Sequence, residues 1–307
     1  MIRAFRVISI LILLAVPLQA QPVQESISVD LVNIYMSATD SRGSFVTDLK
    51  PEEFVLKENG LPQNITHFSN FTLEDSNKLG ERDVPLTMAL VLDKSASMGA
   101  EIQGEHKMDI VKNAAFRLLD EMKNDDSTTL ISFNHAPTEE TQLTSDRKRV
   151  GRDVLFQQVE GGDTALLDSI FFALERLNNR SGRKIIVVFS DGEDTASKLK
   201  LDEVLANVID SDVTVLAFGT MALGSGSIRG RYILEKLAEA SGGYAFFPSS
   251  LNALDGVMDK LRHGMRSQYS MGYAPLNVNR DRKWRTIELT CKRPGVKLRY
   301  RKGYNPG

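Results

Sequence analysis

The stretch Leu86-Thr87-Met88-Ala89-Leu90-Val91-Leu92-Asp93-Lys94-Ser95-Ala96-Ser97 decides the fold. Residues 86–92 form an apolar strand, and it ends abruptly in a carboxylate and two hydroxyls. In an open α/β sheet, ligands sit outside the carboxyl ends of strands near the point where strand order reverses, which is where this loop falls. The run Ile185–Phe189 is apolar at every position, as expected for a strand buried on both faces. It too ends in oxygen-bearing residues, Ser190-Asp191-Gly192-Glu193-Asp194.

Between and after these strands, apolar residues recur at helical spacing. Met108, Val111, Ala115, Leu118, Leu119 and Met122 mark one helix, and Leu166, Ile170, Phe171, Leu174 and Leu177 another. Further strands are expected at Thr129–Phe133, Val213–Phe218 and Tyr244–Phe247, with helices at about 201–210, 230–240 and 250–262. Strands alternating with helices in this way predict an α/β unit, a doubly wound, mostly parallel sheet covered on both faces.

A third polar loop, Gly161-Gly162-Asp163-Thr164, opens the second helix. Turn and cap chemistry alone would account for such residues one loop at a time. Taken together, the three loops and the strands before them resemble the von Willebrand factor A family over about residues 85–262. That resemblance implies a metal-ion-dependent adhesion site with Asp93, Ser95, Ser97, Thr164 and Asp191 as ligands. The ion would be Mg²⁺, with Mn²⁺ or Ca²⁺ as alternatives. Ala96 stands where the family often has glycine, and Lys94 brings a cation beside the loop. With two carboxylates among neutral oxygens, an ion there would stay electrophilic, and a carboxylate from a protein partner would complete its shell. Asp163, Glu193 and Asp194 read as solvated rim charges, Asp194 within reach of the ion through water.

The flanks are written differently. Residues 21–80 and 265–307 alternate with a period of two, as in Val32, Ile34, Met36 and Ala38 and in Tyr269, Met271 and Tyr273. Phe54 and Leu56 lead into Asn59-Gly60, a tight hairpin signal, with Ile65 and Phe68 expected on the return strand. Neither flank has enough strands to bury a face alone, so they are expected to pair into one β-sandwich around an α/β insert at 85–262. The competing layout is two separate β modules. These flanks resemble exported A-domain-related proteins of Acidobacteria. Residues 73–84 read as a linker and Gly224–Gly230 as a flexible loop.

Arg3 and Arg6 before the short apolar run 7–16, with Ala20 before Gln21, predict a signal peptide over 1–20 and a mature chain that is extracytoplasmic, periplasmic or secreted, without a stable membrane span. A formal net charge of −2 gives no pull toward nucleic acid. The single Cys291 excludes an internal disulfide and reads as a small buried hydrophobe. The tail from Arg280 to Lys302 is strongly basic. Two readings stand for it, a solvated, charge-protected edge strand or a contact with an anionic surface. No general base is placed beside the metal loops, which argues against an enzyme. The sequence thus points to an exported adhesion-type module. A periplasmic assembly scaffold is the alternative, and a metal-assisted hydrolase stands further off.

Overall fold

The computed structural model describes residues 31–71, 84–220, 227–266 and 269–306. The expected signal peptide, nearly all of the 73–84 linker and residues 224–226 of the glycine-rich loop lie outside them. The described chain opens with β1 (Val32–Thr39), β2 (Phe54–Glu58), β3 (Leu61–Pro62) and β4 (His67–Asn70). Asn59 and Gly60 turn β2 into β3 with φ of 49° and 77°, the positive values that the tight turn requires. The return strand is shorter than expected. Its paired register ends at Pro62, the Gln63 N–H still donates to the Leu56 carbonyl, and Phe68 joins the opposite sheet through β4.

The central unit begins with β5 (Leu86–Asp93), a small ribbon of β6 (Glu101–Ile102) and β7 (Glu105–His106), and α1 (Lys107–Asp120). It continues with β8 (Ser127–Phe133), β9 (Pro137–Thr144), α2 (Arg147–Phe156), α3 (Leu166–Asn178) and β10 (Arg183–Ser190). Then come α4 (Leu201–Asp210), β11 (Val213–Gly219), α5 (Ile228–Ser241), β12 (Tyr244–Phe246) and α6 (Leu254–Arg266). The six-stranded sheet runs β12-β11-β10-β5-β8-β9. All its pairs are parallel except β8 with β9. The sheet is therefore mixed, with β9 and α2 as elements that the sequence reading did not assign.

Alternate residues of each strand face opposite sides, and two cores result. Met88, Leu90 and Leu92 of β5 pack with α1, α2 and α6, including Val111, Leu118, Val154 and Leu261. Ala89 and Val91 pack with α3, α4 and α5, including Ile170, Val204 and Leu234. Each fully buried aliphatic side chain contributes about 1.5–3 kcal/mol, which is why strands apolar at every position settle in the middle of the sheet. The chain fills β8 on one side of β5 and β10 on the other. The reversal of order thus falls at β5, and the loops after β5 and β10 share the crevice.

The last strands are β13 (Tyr269–Tyr273), β14 (Arg285–Cys291), β15 (Lys297–Tyr300) and β16 (Gly303–Tyr304). Two four-stranded sheets, β15-β1-β13-β4 and β16-β14-β2-β3, face each other. Ile34, Met36, Phe54, Leu56, Tyr269, Ile287 and Leu289 fill the space between them. The segments before and after the α/β unit thus build one β-sandwich. Its core holds one charge cluster. Buried Glu58 accepts from the hydroxyls of Tyr273 (2.6 Å) and Tyr304 (2.9 Å) and lies 3.5 Å from Arg285.

The basic tail is only partly a solvated edge. Arg299 of edge strand β15 donates to the Gly243 carbonyl and lies over the Tyr244 ring. Arg301 donates to the carbonyls of Ser211 and Asn33, and Arg293 pairs with Asp48 and Glu53. These cations tie the sandwich to the α/β unit or to the sandwich itself, because a guanidinium has enough donors to satisfy carbonyls left over at loop ends. Cys291 is half-buried and carries no disulfide.

Candidate metal centre

Three loops meet at the carboxyl edge of β5 and β10. β5 delivers Asp93 to the rim fully buried, and its carboxylate is held from two sides. One oxygen accepts the Ser95 backbone N–H at 2.9 Å, and the other accepts the Ser190 hydroxyl at 2.6 Å. Ser190 in turn accepts the Gly192 N–H at 3.0 Å, so one hydroxyl ties the two loops together. Beyond Asp93 the chain turns through a short 3₁₀ segment, Ala96–Gly99. This brings the Ser95 and Ser97 hydroxyls to 3.2 Å of each other.

Asp191 follows β10, buried, and accepts the Glu193 N–H. Its loop is pressed against the start of α5. A Cβ on Gly192 would stand 2.2 Å from the Gly230 carbonyl oxygen, and one on Gly230 would stand 2.4 Å from that of Asp191. Only two glycines allow this backbone approach, and Gly192 also has φ of 81°. Thr164 is buried and fixed by its backbone. Its N–H donates to the Thr195 hydroxyl, and its carbonyl accepts from the N–H groups of Thr195 and Ala196. Its own hydroxyl is not used in these bonds.

Burial is the main force on the Asp93 carboxyl. It raises the pKa to about 6, with the charge of Asp191 adding to the rise and the Ser190 and Ser95 bonds opposing it. Lys107, the first residue of α1, is fully buried. Burial pulls its pKa down, and the charges of Asp191 and Asp93 partly restore it. Two carboxylates and one ammonium therefore share this interior.

Lys94 takes no part in that balance. Its ammonium turns away to Glu140 (3.2 Å) and Glu160 (2.9 Å), so the cation expected beside the loop is neutralised. Asp194 is also engaged elsewhere. It accepts the Leu167 N–H and the Ser197 hydroxyl, and so caps the first turn of α3. Ser190 and Lys107 were not singled out from the sequence. Ser190 sits in the quoted loop next to Asp191, but a lysine at a helix start carries no sign that the helix begins inside the protein.

Among the described residues no group of three or more His, Cys, Asp or Glu is arranged to hold a metal ion. Any ion here must rely on hydroxyl oxygens, and the donors present are of that kind. Neutral and anionic oxygens suit a hard divalent cation, and a carboxylate destabilised by burial gains from a cation beside it. The residues fit the group.

Residues 88–193 match the model of the von Willebrand factor type A domain. The inter-alpha-trypsin inhibitor heavy chain H2 of Mesocricetus auratus is 29% identical over 155 residues, 44% of this chain and 15% of that one. An uncharacterised protein of Synechocystis is 27% identical over 183 residues, 57% of this chain and 40% of that one. The chain therefore spans well under half the length of the curated relatives it matches. Proximal thread matrix protein 1 from the mussel byssus, in a structure with a zinc-occupied MIDAS motif, superposes with a TM-score of 0.52 at 19% identity. That match covers 61% of this chain and 47% of the mussel protein. The PilB minor pilin from Streptococcus sanguinis, as its D319A mutant, superposes with a TM-score of 0.50 at 13% identity, over 62% of each chain.

Proposed function

We propose that this protein, whose residues 88–193 match the von Willebrand factor type A domain, is an exported, metal-dependent protein-binding module of the adhesion type. Asp93, Ser95, Ser97, Thr164 and Asp191 hold one divalent ion, Mg²⁺ in the first place with Mn²⁺ or Ca²⁺ as alternatives. The bound ion supplies an electrophilic coordination position for a carboxylate of a partner protein.

The observation that carries this reading is the charge balance of the crevice. Asp93 and Asp191 bring two negative charges, and buried Lys107 lies within their field. Two carboxylates and one ammonium leave a divalent ion incompletely neutralised, so the rim favours one further anion. Ser190 and the Ser95 N–H keep Asp93 in one orientation. The 3₁₀ turn keeps both serine hydroxyls on one side. The Thr195 loop fixes Thr164, and the Gly192–Gly230 contact fixes Asp191. Preformed donors of this kind lower the ordering cost of binding. The Glu140 and Glu160 carboxylates are bound to Lys94, and Asp194 caps α3.

Among the described residues no helix is long and apolar enough to cross a membrane. Export rests on the reading of the first twenty residues.

Thermal unfolding in EDTA and in Mg²⁺, Mn²⁺ or Ca²⁺, for the native chain and Asp191→Ala, tests the metal reading. An ion that binds the native state at one hundred times its Kd adds about 2.7 kcal/mol of stability. The reading expects a metal-dependent rise in Tm that the variant loses. Equal Tm in EDTA and in saturating metal would refute it.

A further inference from the structure

Beside the Asp191 loop, a cleft of about 470 Å³ opens between α3, the loop before α4 and the first turns of α5. Leu167, Leu199 and Ile233 line it with apolar surface, and the Tyr232 ring, half exposed, stands at its wall. Lys200 and Arg229 carry its positive charge.

Three features mark this cleft as more than a surface irregularity. First, it adjoins the metal crevice through shared backbone. Thr195 lines the cleft while its hydroxyl and N–H hold Thr164, and α5 meets the Asp191 loop backbone to backbone at Gly230. Second, the cleft carries two exposed cations at helix starts. Lys200 is the N-cap of α4, where Asp202 and Glu203 offset the helix dipole, and Arg229 is the second residue of α5, whose first turn has no acidic residue. The positive end of the α5 dipole therefore disfavours Arg229 there. Neither makes an ion pair among the described residues. Asp194, the carboxylate lining the cleft, is committed to the Leu167 N–H and the Ser197 hydroxyl. Third, large apolar surface is left outside. Ile228 is 90% exposed and Tyr232 51% exposed, and they lie one turn apart on the same face of α5. Residues that break a local rule without structural compensation are expected at functional sites.

We propose that this cleft is the second contact point for the partner bound at the metal crevice, and that it takes an acidic segment bearing an apolar side chain. The apolar side chain enters between Leu167, Leu199 and Ile233 against Tyr232, and a neighbouring carboxylate meets Lys200 and Arg229. This rests on the metal-binding reading above, and it adds what selects among carboxylate-bearing partners. The crevice supplies attraction for any carboxylate, and the cleft discriminates by the residues that follow it.

The test is selection from a random-peptide display library on the full chain in Mg²⁺, repeated in EDTA, on Asp191→Ala and on the double variant Lys200→Glu with Arg229→Glu. Acidic residues at helix N-termini favour the helix, so the double variant keeps its fold, and its Tm checks that it does. The expected result is Mg²⁺-dependent enrichment of peptides with one carboxylate plus an apolar–acidic pair, all lost with Asp191→Ala. On the double variant the lone carboxylate remains enriched and the apolar–acidic pair does not. Peptides carrying the pair should bind the double variant at least about tenfold more weakly, about 1.4 kcal/mol. If both proteins select the same metal-dependent sequences, or if a second copy of this chain occupies the cleft, the cleft proposal is overturned and the metal reading stands. If no enrichment depends on Mg²⁺, both fall.

Discussion

Replacing Gly230 with alanine should lower both the stability of the fold and its affinity for metal, although the same change inside a helix normally stabilises. Inside a helix, glycine to alanine is worth about 0.5–1 kcal/mol of added stability. At Gly230 the new methyl would stand 2.4 Å from the Asp191 carbonyl oxygen, 2.9 Å from the Gly192 carbonyl carbon and 3.2 Å from the Glu193 nitrogen. All three are backbone atoms, so no side chain can rotate away. The Asp191 loop or α5 must retreat by roughly 1 Å, and overpacking of this kind costs about 1–3 kcal/mol. Set against the helix gain, the net expectation is a loss of up to about 2.5 kcal/mol. Because the retreating atoms belong to Asp191, affinity for Mn²⁺ should also fall, by about 10–100-fold, the range for disturbed supports of a metal ligand. Gly256 of α6, with open space where its Cβ would go, is the control. Gly256→Ala should be neutral to stabilising and leave metal affinity unchanged. Denaturant unfolding and calorimetric Mn²⁺ titration of the two variants read both quantities. The reasoning is refuted if Gly230→Ala is as stable as Gly256→Ala and binds Mn²⁺ as the native chain does.

Other outcomes follow from single features. The Asp93 pKa, raised from 3.8 to about 6 by burial, means that the folded state holds the proton more tightly than the unfolded one. In EDTA its contribution is full below about pH 4 and is lost as pH rises through about 6, a decline of at most about 3 kcal/mol. Urea midpoints across that range should show the fall, and saturating Mg²⁺ should oppose it because the ion binds the deprotonated carboxylate. Glu58→Ala removes the acceptor of the buried Tyr273 and Tyr304 hydroxyls, while Arg285 keeps its bonds to the Asn277 and Asn279 carbonyls. Its urea midpoint should drop by the equivalent of about 2–4 kcal/mol, the cost of leaving two buried donors unsatisfied. Arg301→Ala removes charged donors from the carbonyls of Ser211 and Asn33. A loss of about 2 kcal/mol is expected, with faster hydrogen exchange in β1.

The α/β order was legible because its strands are buried on both faces, and runs such as Ile185–Phe189 admit few other readings. The hairpin at Asn59-Gly60 was legible for a different reason, since few residue pairs accept two positive φ values. β9 and α2 were not. Pro137-Thr-Glu-Glu-Thr-Gln-Leu-Thr144 is an edge strand with one face in water, and it carries no apolar alternation. Arg147–Phe156 buries only Val150, Gly151 and Val154, too narrow a stripe to stand out among its charges. In the crevice, the loops that deliver Asp93, Ser95, Ser97 and Asp191 announced themselves by following apolar strands. Lys107 did not, because its burial is decided by how α1 packs across β5, a contact between elements rather than a pattern within one. The tail cations misled in a similar way. Arg299 and Arg301 look like solvated charges until the carbonyls of Gly243 and Ser211 are placed beside them.

The central claim is one divalent ion, held by the three loops, that keeps a coordination position open for a carboxylate. Water-proton relaxation during Mn²⁺ titration of the full chain measures both halves of it, because only a bound ion with exchangeable water enhances relaxation strongly. The account expects enhancement that saturates at one ion per chain, disappears in Asp191→Ala and falls when a carboxylate peptide selected in Mg²⁺ is added. Relaxation no different from free Mn²⁺, or equal enhancement in Asp191→Ala, would contradict it.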